Sequence, residues 1–144
     1  MSAPLVVDAS AVVQLLLAEP DTEPVDAYLL HDPRWSSLIA PSILVSETAA
    51  AITKKVRRKD ITSVSAREAF RDWQDMLASD VFALIPANDL IDAAFELSLK
   101  LHHPLHDCLY LALAKDREAA IATRDTVLAR KAREMGFQAE LIGA

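Results

Sequence analysis

The sequence predicts an α/β domain with a central, mostly parallel sheet of four to five strands. Three observations lead there. Short, nearly continuous apolar runs alternate with longer stretches of helical pattern. The runs lack the polar alternation of a half-exposed strand, so both their faces should be covered. The chain has 144 residues, 52% apolar and 25% charged, which suits a single domain over residues 1–144 that folds on its own core.

The elements follow in order. Leu5–Val7 is the first strand candidate, and Ala9–Leu17 is an apolar segment of good helical composition. Val25–Leu30 is a short helix candidate after Pro24, a residue suited to a first turn. Ser37–Ala40 is the second strand. Ile43–Lys59 is a helix with Ser42 as its N-cap. Ala66–Leu77 is a helix with Ser65 ahead of it, and Val81–Ile85 is the third strand. Ile91–Leu101 is a helix capped by Asn88 or Asp89. Asp107–Lys115 is apolar almost all round, the signature of a buried helix. Ala120–Ala122 is a strand. Thr126–Met135 is a helix ending at Gly136, a natural left-handed residue after a last turn. Ala139–Ile142 completes the sheet, with right-handed crossovers expected between parallel strands.

Composition narrows the chemistry. With Cys108 as the only cysteine there is no internal disulfide and no cysteine-based zinc site. Two glycines cannot furnish a GxGxxG or Walker A phosphate loop. The N-terminus lacks the pattern of a signal peptide, and no apolar run reaches the ~18 residues of a membrane span, so a cytoplasmic protein with no membrane partner is expected. The net charge of −6 is the wrong sign for a polyanion binder unless the acids cluster around a cation.

The acids do fall in such places. Asp8 follows the first strand and Asp125 the fourth, so both project beyond the carboxyl ends of parallel strands, where α/β sheets bind ligands. Each is also a good helix N-cap. Glu47 has Ile43, Leu44, Ala50 and Ala51 as its helical neighbours, which places it on the core-facing stripe, where a lone carboxylate is costly. Asp107 opens the buried-looking helix, near Tyr110 and Leu111. Converging carboxylates repel by about 4 kcal/mol per pair at ~4 Å and an effective dielectric of 20. A bound cation relieves this, and oxygen donors without cysteine suit Mg²⁺ or Mn²⁺.

These stretches, "VVDASAVVQLLL", "SILVSETAAAI", "LHDCLYLALA" and "AIATRD", resemble the PIN-domain nucleases, above all VapC-type toxins of toxin–antitoxin pairs. The resemblance runs from Leu5 nearly to the C-terminus. It implies a three-layer α/β/α fold and a metal-dependent endoribonuclease using Mg²⁺ or Mn²⁺. Asp8, Glu47, Asp107 and Asp125 match the family's acidic quartet, as catalytic and metal-binding residues. Ser10 and Thr123 match hydroxyls that orient the carboxylates. The implied partners are RNA, a small antitoxin protein and a second copy of the chain in a homodimer.

Other features carry two readings each. The basic run Lys54 to Lys59, with Arg57 and Arg58, is either a helix C-terminus of complementary charge or a contact for RNA or antitoxin. Arg124 is either solvated or a phosphate contact. His102, His103 and His106 read as a turn before a helix rather than a zinc site, since only His31 remains as a further histidine ligand. Trp35, Phe70, Trp73 and Phe82 read as core or interface. A receiver domain is disfavoured because the last strand, "QAELIG", lacks its lysine. A haloacid-dehalogenase-like phosphatase is disfavoured by Ser10 at the place of its second aspartate. A non-catalytic PIN-like module that binds RNA or protein remains as the alternative.

Overall fold

The computed structural model describes residues 3–17 and 29–142. Its strands are β1 (Ala3–Val7), β2 (Trp35–Pro41), β3 (Phe82–Ile85), β4 (Ala120–Thr123) and β5 (Ala139–Leu141). Its helices are α1 (Ala9–Leu16), α2 (Leu44–Arg57), α3 (Ser63–Ala78), α4 (Ile91–Leu101), α5 (Leu105–Arg117) and α6 (Thr126–Glu134). The short helix expected over Val25–Leu30 lies mostly outside the described residues; Leu29 and Leu30 are helical.

All five strands are parallel, in the order β3-β2-β1-β4-β5. Helices on both faces complete three α/β/α layers. The strand order reverses between β1 and β4, and at such a switch point neighbouring crossovers leave on opposite faces, opening a crevice at the carboxyl ends. Val7 pairs with Ala122 there. Asp8 N–H donates to the Ala122 carbonyl at 3.2 Å, which carries the pairing one residue beyond β1.

The core explains why the apolar runs are continuous. Leu5, Val6, Val7, Ile121 and Ala122 have no exposure, since β1 and β4 are covered on both sides. Helix α5 packs on β1, β2 and β4 and buries every residue from Cys108 to Ala114. Trp73 is fully buried, edge-on to Phe82 with ring centres 5.6 Å apart. Its indole N–H donates to the Val45 carbonyl, tying α3 to α2. Phe70, by contrast, is exposed.

Several caps differ from expectation. Helix α2 begins after Ile43 without a side-chain cap, because the Ser42 hydroxyl accepts instead from Ala87 N–H at 3.0 Å. Thr62, not Ser65, caps α3, accepting from Ser65 N–H at 3.1 Å. Neither Asn88 nor Asp89 caps α4; a 3-10 turn over Ala87–Asp89 leads into it through Leu90. Helix α5 starts two residues early, after Pro104, so Asp107 sits within its first turn. Gly136 has φ of +89° as expected of a left-handed terminus.

Candidate functional site

Four short stretches reach the crevice. Asp8 leaves β1 and caps α1, its Oδ1 accepting from Ala11 N–H at 3.3 Å. Asp125 leaves β4 and caps α6, accepting from Val127 and Leu128 N–H at 2.9 and 3.1 Å. Glu47 comes from the first turn of α2 and Asp107 from that of α5. All four line one pocket of about 280 Å³, together with Ala9, Ser10, Ala50 and Tyr110. For Asp8 and Asp125, capping and pocket lining are the same placement: each cap binds through one oxygen and stands at the carboxyl end of a strand.

Asp8 is the most confined of the four, with 7% exposure. Ser10 Oγ donates to its Oδ1 at 2.6 Å and Thr123 Oγ1 to its Oδ2 at 2.5 Å. Burial still dominates, and with the charge of Asp107 it pushes the Asp8 carboxyl up to about 6 against the pull of these bonds. The two hydroxyls also hold the β4 exit: Ser10 Oγ accepts from Arg124 N–H and Thr123 Oγ1 from Asp125 N–H, both at 2.9 Å.

Glu47 stands otherwise than the helical pattern suggests. The buried stripe of α2 is Leu44, Thr48 and Ile52, and Glu47 lies at its margin, half-buried toward the pocket. Its partner escaped the sequence reading. Tyr110, almost fully buried, donates its hydroxyl to Glu47 Oε1 at 2.6 Å. Burial, and then the Glu47 bond, push the Tyr110 phenol far up, so it remains a donor. The exposed His106 ring lies 3.8 Å from Glu47 Oε2. His103, read only as part of a turn, is buried and bonds Asp107 Oδ2 through Nε2 at 2.7 Å. For Tyr110 the signal was its place three residues after Asp107 on the same helix; His103 precedes Pro104, outside the helix, and carried no such signal.

A second, basic pocket adjoins the first through Ser10. Lys54, Lys55, Arg58 and Arg124 line it, with Asp60 and Gln14. Arg57 points elsewhere, toward Thr53 Oγ1 at 3.4 Å. Arg124 is half-buried rather than solvated, and its guanidinium bonds Gln14 Oε1.

Among the described residues, no three acidic, histidine or cysteine groups draw close enough to form a finished ligand cluster. The donor set fits a hard divalent cation nonetheless. The pocket offers only oxygen ligands, and Asp8 is a buried acid with a second acid beside it. Mg²⁺ takes one or two carboxylates and keeps several waters, so it needs no all-protein cage.

The comparisons agree with this architecture. No curated protein matches the chain at a significant level. Among solved structures, PAE2754 from Pyrobaculum aerophilum has a TM-score of 0.66 at 21% identity, over 91% of this chain and 87% of that one. FitAcB from Neisseria gonorrhoeae has a TM-score of 0.62 at 16% identity, over 94% and 96%. FitAB bound to an IR36 DNA fragment has a TM-score of 0.63 at 19% identity, over 94% and 92%. At these identities the likeness is one of fold. The PIN domain profile matches residues 5–134. With that match over most of its length, the chain belongs to the PIN domain family.

Proposed function

We propose that this chain is a metal-dependent endoribonuclease, the VapC-type toxin of a toxin–antitoxin pair, acting in the cytoplasm on RNA phosphodiester bonds. PIN domains are generally nucleases. One observation carries the reading: Asp8, Glu47, Asp107 and Asp125, from separate stretches of chain, line a single pocket at the switch point of the sheet.

These four carboxylates are the groups that would hold Mg²⁺ or Mn²⁺. When bound, such a cation lowers the pKa of a coordinated water and screens phosphate charge. The chain's own share is orientation. Ser10 and Thr123 hold both Asp8 oxygens, Tyr110 holds Glu47 and His103 holds Asp107. A pocket carboxylate left uncommitted accepts the proton of the attacking water. The adjoining basic pocket supplies backbone contacts, with Lys54, Lys55, Arg58 and Arg124 facing phosphates next to the cut.

Two apolar surfaces support protein partners. Ile91, Phe95 and Leu99 form an exposed row along α4 at four-residue spacing, suited to a homodimer. Ala49, Ile52, Ala66 and Phe70 line a groove between α2 and α3, suited to an antitoxin segment.

The test is cleavage of single-stranded RNA in Mg²⁺, with and without chelator, by the parent and by Asp8→Asn. Metal-dependent cutting by the parent and its loss in the variant support the reading; equal cutting by both sinks it. The basic pocket beside the acids also suits a second reading, a PIN module that binds RNA without cutting it. RNA binding without cleavage at any divalent metal would select that one.

A further inference from the structure

The acidic pocket has no lysine or arginine in its walls. The cations stand next door, in a second pocket of about 320 Å³ that meets the first at Ser10. Two elements divide themselves between the pockets. At the β4 exit, Thr123 holds Asp8, Asp125 lines the acidic pocket, and Arg124 between them lines the basic one. Along α2, Glu47 and Ala50 line the acidic pocket, and Ala51, Lys54, Lys55 and Arg58 continue into the basic one. At ~1.5 Å per residue, Lys54 and Arg58 lie roughly 10 and 16 Å further along the axis than Glu47.

The basic pocket sets four cations against one carboxylate, Asp60, in a chain of net charge −6. Among the described residues, Lys54, Lys55 and Arg58 make no ion pair. Like charges gathered without a counter-ion repel, and a bound anion relieves them. The Arg124 guanidinium donates to Gln14 Oε1, and Gln14 is 3% exposed. That amide fixes a direction through a neutral oxygen. Gln14 stands one turn after Ser10 on α1, so the helix that orients Arg124 is also the one that holds Asp8.

A strand whose reacting phosphate lies in the acidic pocket leaves it in two directions. The direction past Ser10, along α1 and α2, enters the basic pocket; the opposite direction leads away from it. We propose that this pocket is a subsite for a second phosphate of the substrate strand, on one side of the cut alone, with Lys54, Arg58 and Arg124 as its ligands. The inference rests on the nuclease reading above. It differs from a diffuse basic surface, which attracts phosphates on both sides of the cut alike.

The test uses the full chain and a short unstructured RNA that the parent cuts at one position in Mg²⁺. Methylphosphonate linkages, which carry no charge, replace one phosphate at a time on either side of that position, and kcat/KM is measured for each. A neutral linkage near the cut on one side is expected to cost roughly tenfold, as for a lost hydrogen bond to a charged group. Its counterpart at equal distance on the other side should stay within about threefold, as for a screened, solvent-exposed charge. In Lys54→Gln/Arg58→Gln the sensitive linkage should cost less than about threefold, because most of its ligands are already gone. Arg57→Gln, outside the pocket, should keep the parent's pattern. Equal losses on the two sides, or none on either, overturn the proposal; metal-dependent cutting of unmodified RNA by the parent then leaves the nuclease reading intact. A parent-like loss persisting in Lys54→Gln/Arg58→Gln overturns it as well. Should that variant not fold, Arg124→Gln takes its place. Loss of dependence on that one phosphate supports the subsite, whereas an equal slowing on every substrate overturns it. A parent that cuts no RNA removes both readings together.

Discussion

Thr123 Oγ1 donates to Asp8 Oδ2 across 2.5 Å, although 115 positions separate the two residues. The same hydroxyl accepts from Asp125 N–H. It thus joins the exits of two neighbouring strands and two of the pocket's acids. Thr123→Val keeps the shape and deletes both bonds. A loss of about 1–3 kcal/mol in denaturant unfolding is expected, because the buried Asp8 Oδ2 and the Asp125 N–H both lose their partner. Cleavage should fall as well. Thr123→Ser keeps the hydroxyl and should restore most of both; if serine behaves as valine does, the hydroxyl is not the cause.

Asp8 makes stability depend on pH and metal. Its folded pKa of about 6 lies above the ordinary 3.8, so the folded state binds the proton more tightly than the unfolded one. The resulting stabilisation is full below pH 4 and is lost as pH rises through about 6. A gap of about 2 units at ~1.36 kcal/mol each amounts to about 3 kcal/mol. Metal-free Asp8→Asn should therefore melt several degrees above the parent at pH 8, and the gap should narrow toward pH 4.5. Mg²⁺ should raise the parent's melting temperature and not the variant's. A parent–variant difference that does not change with pH would rule this out.

Tyr110→Phe removes the donor to Glu47 Oε1 while the ring still fills its buried place. About 1–2 kcal/mol of stability should go with it, as for hydrogen bonds to charged groups. Cleavage should drop roughly tenfold, as when a metal-binding group loses its outer hydrogen-bond partner, whereas Glu47→Gln should abolish it. Single-turnover kinetics of the two variants separate orientation from ligation, and equal defects would argue against the distinction.

The basic pocket predicts a salt signature. Neutralising Lys54, Lys55 and Arg58 together should weaken single-stranded RNA binding. It should also flatten the slope of log affinity against log salt by about 0.7 for each phosphate no longer neutralised. Arg57→Gln, outside that pocket, should change the slope little. Filter binding over a salt series checks both, and an unchanged triple-variant slope removes the pocket from the RNA path.

The sequence alone determined the parallel α/β class and the placing of Asp8 and Asp125. Both follow from local rules: doubly covered strands are apolar throughout, and an acid after a strand meets the next helix's free N–H groups. Glu47 and Asp107 were legible as acids on apolar helices, since burial without a partner is costly. Only the tertiary structure decided which groups hold them. Tyr110 lies one turn after Asp107 and His103 just before the helix, yet spacing alone cannot say that one turns to Glu47 and the other to Asp107. Gln14 and the split of Arg57 from Arg58 depend on how separate elements pack. Ser42 shows the reverse case, a sound local cap drawn away by the Ala87 amide in the 3-10 turn after β3. Hydrogen bonds between distant segments exist only once the chain has closed, so periodicity along the chain carries no record of them.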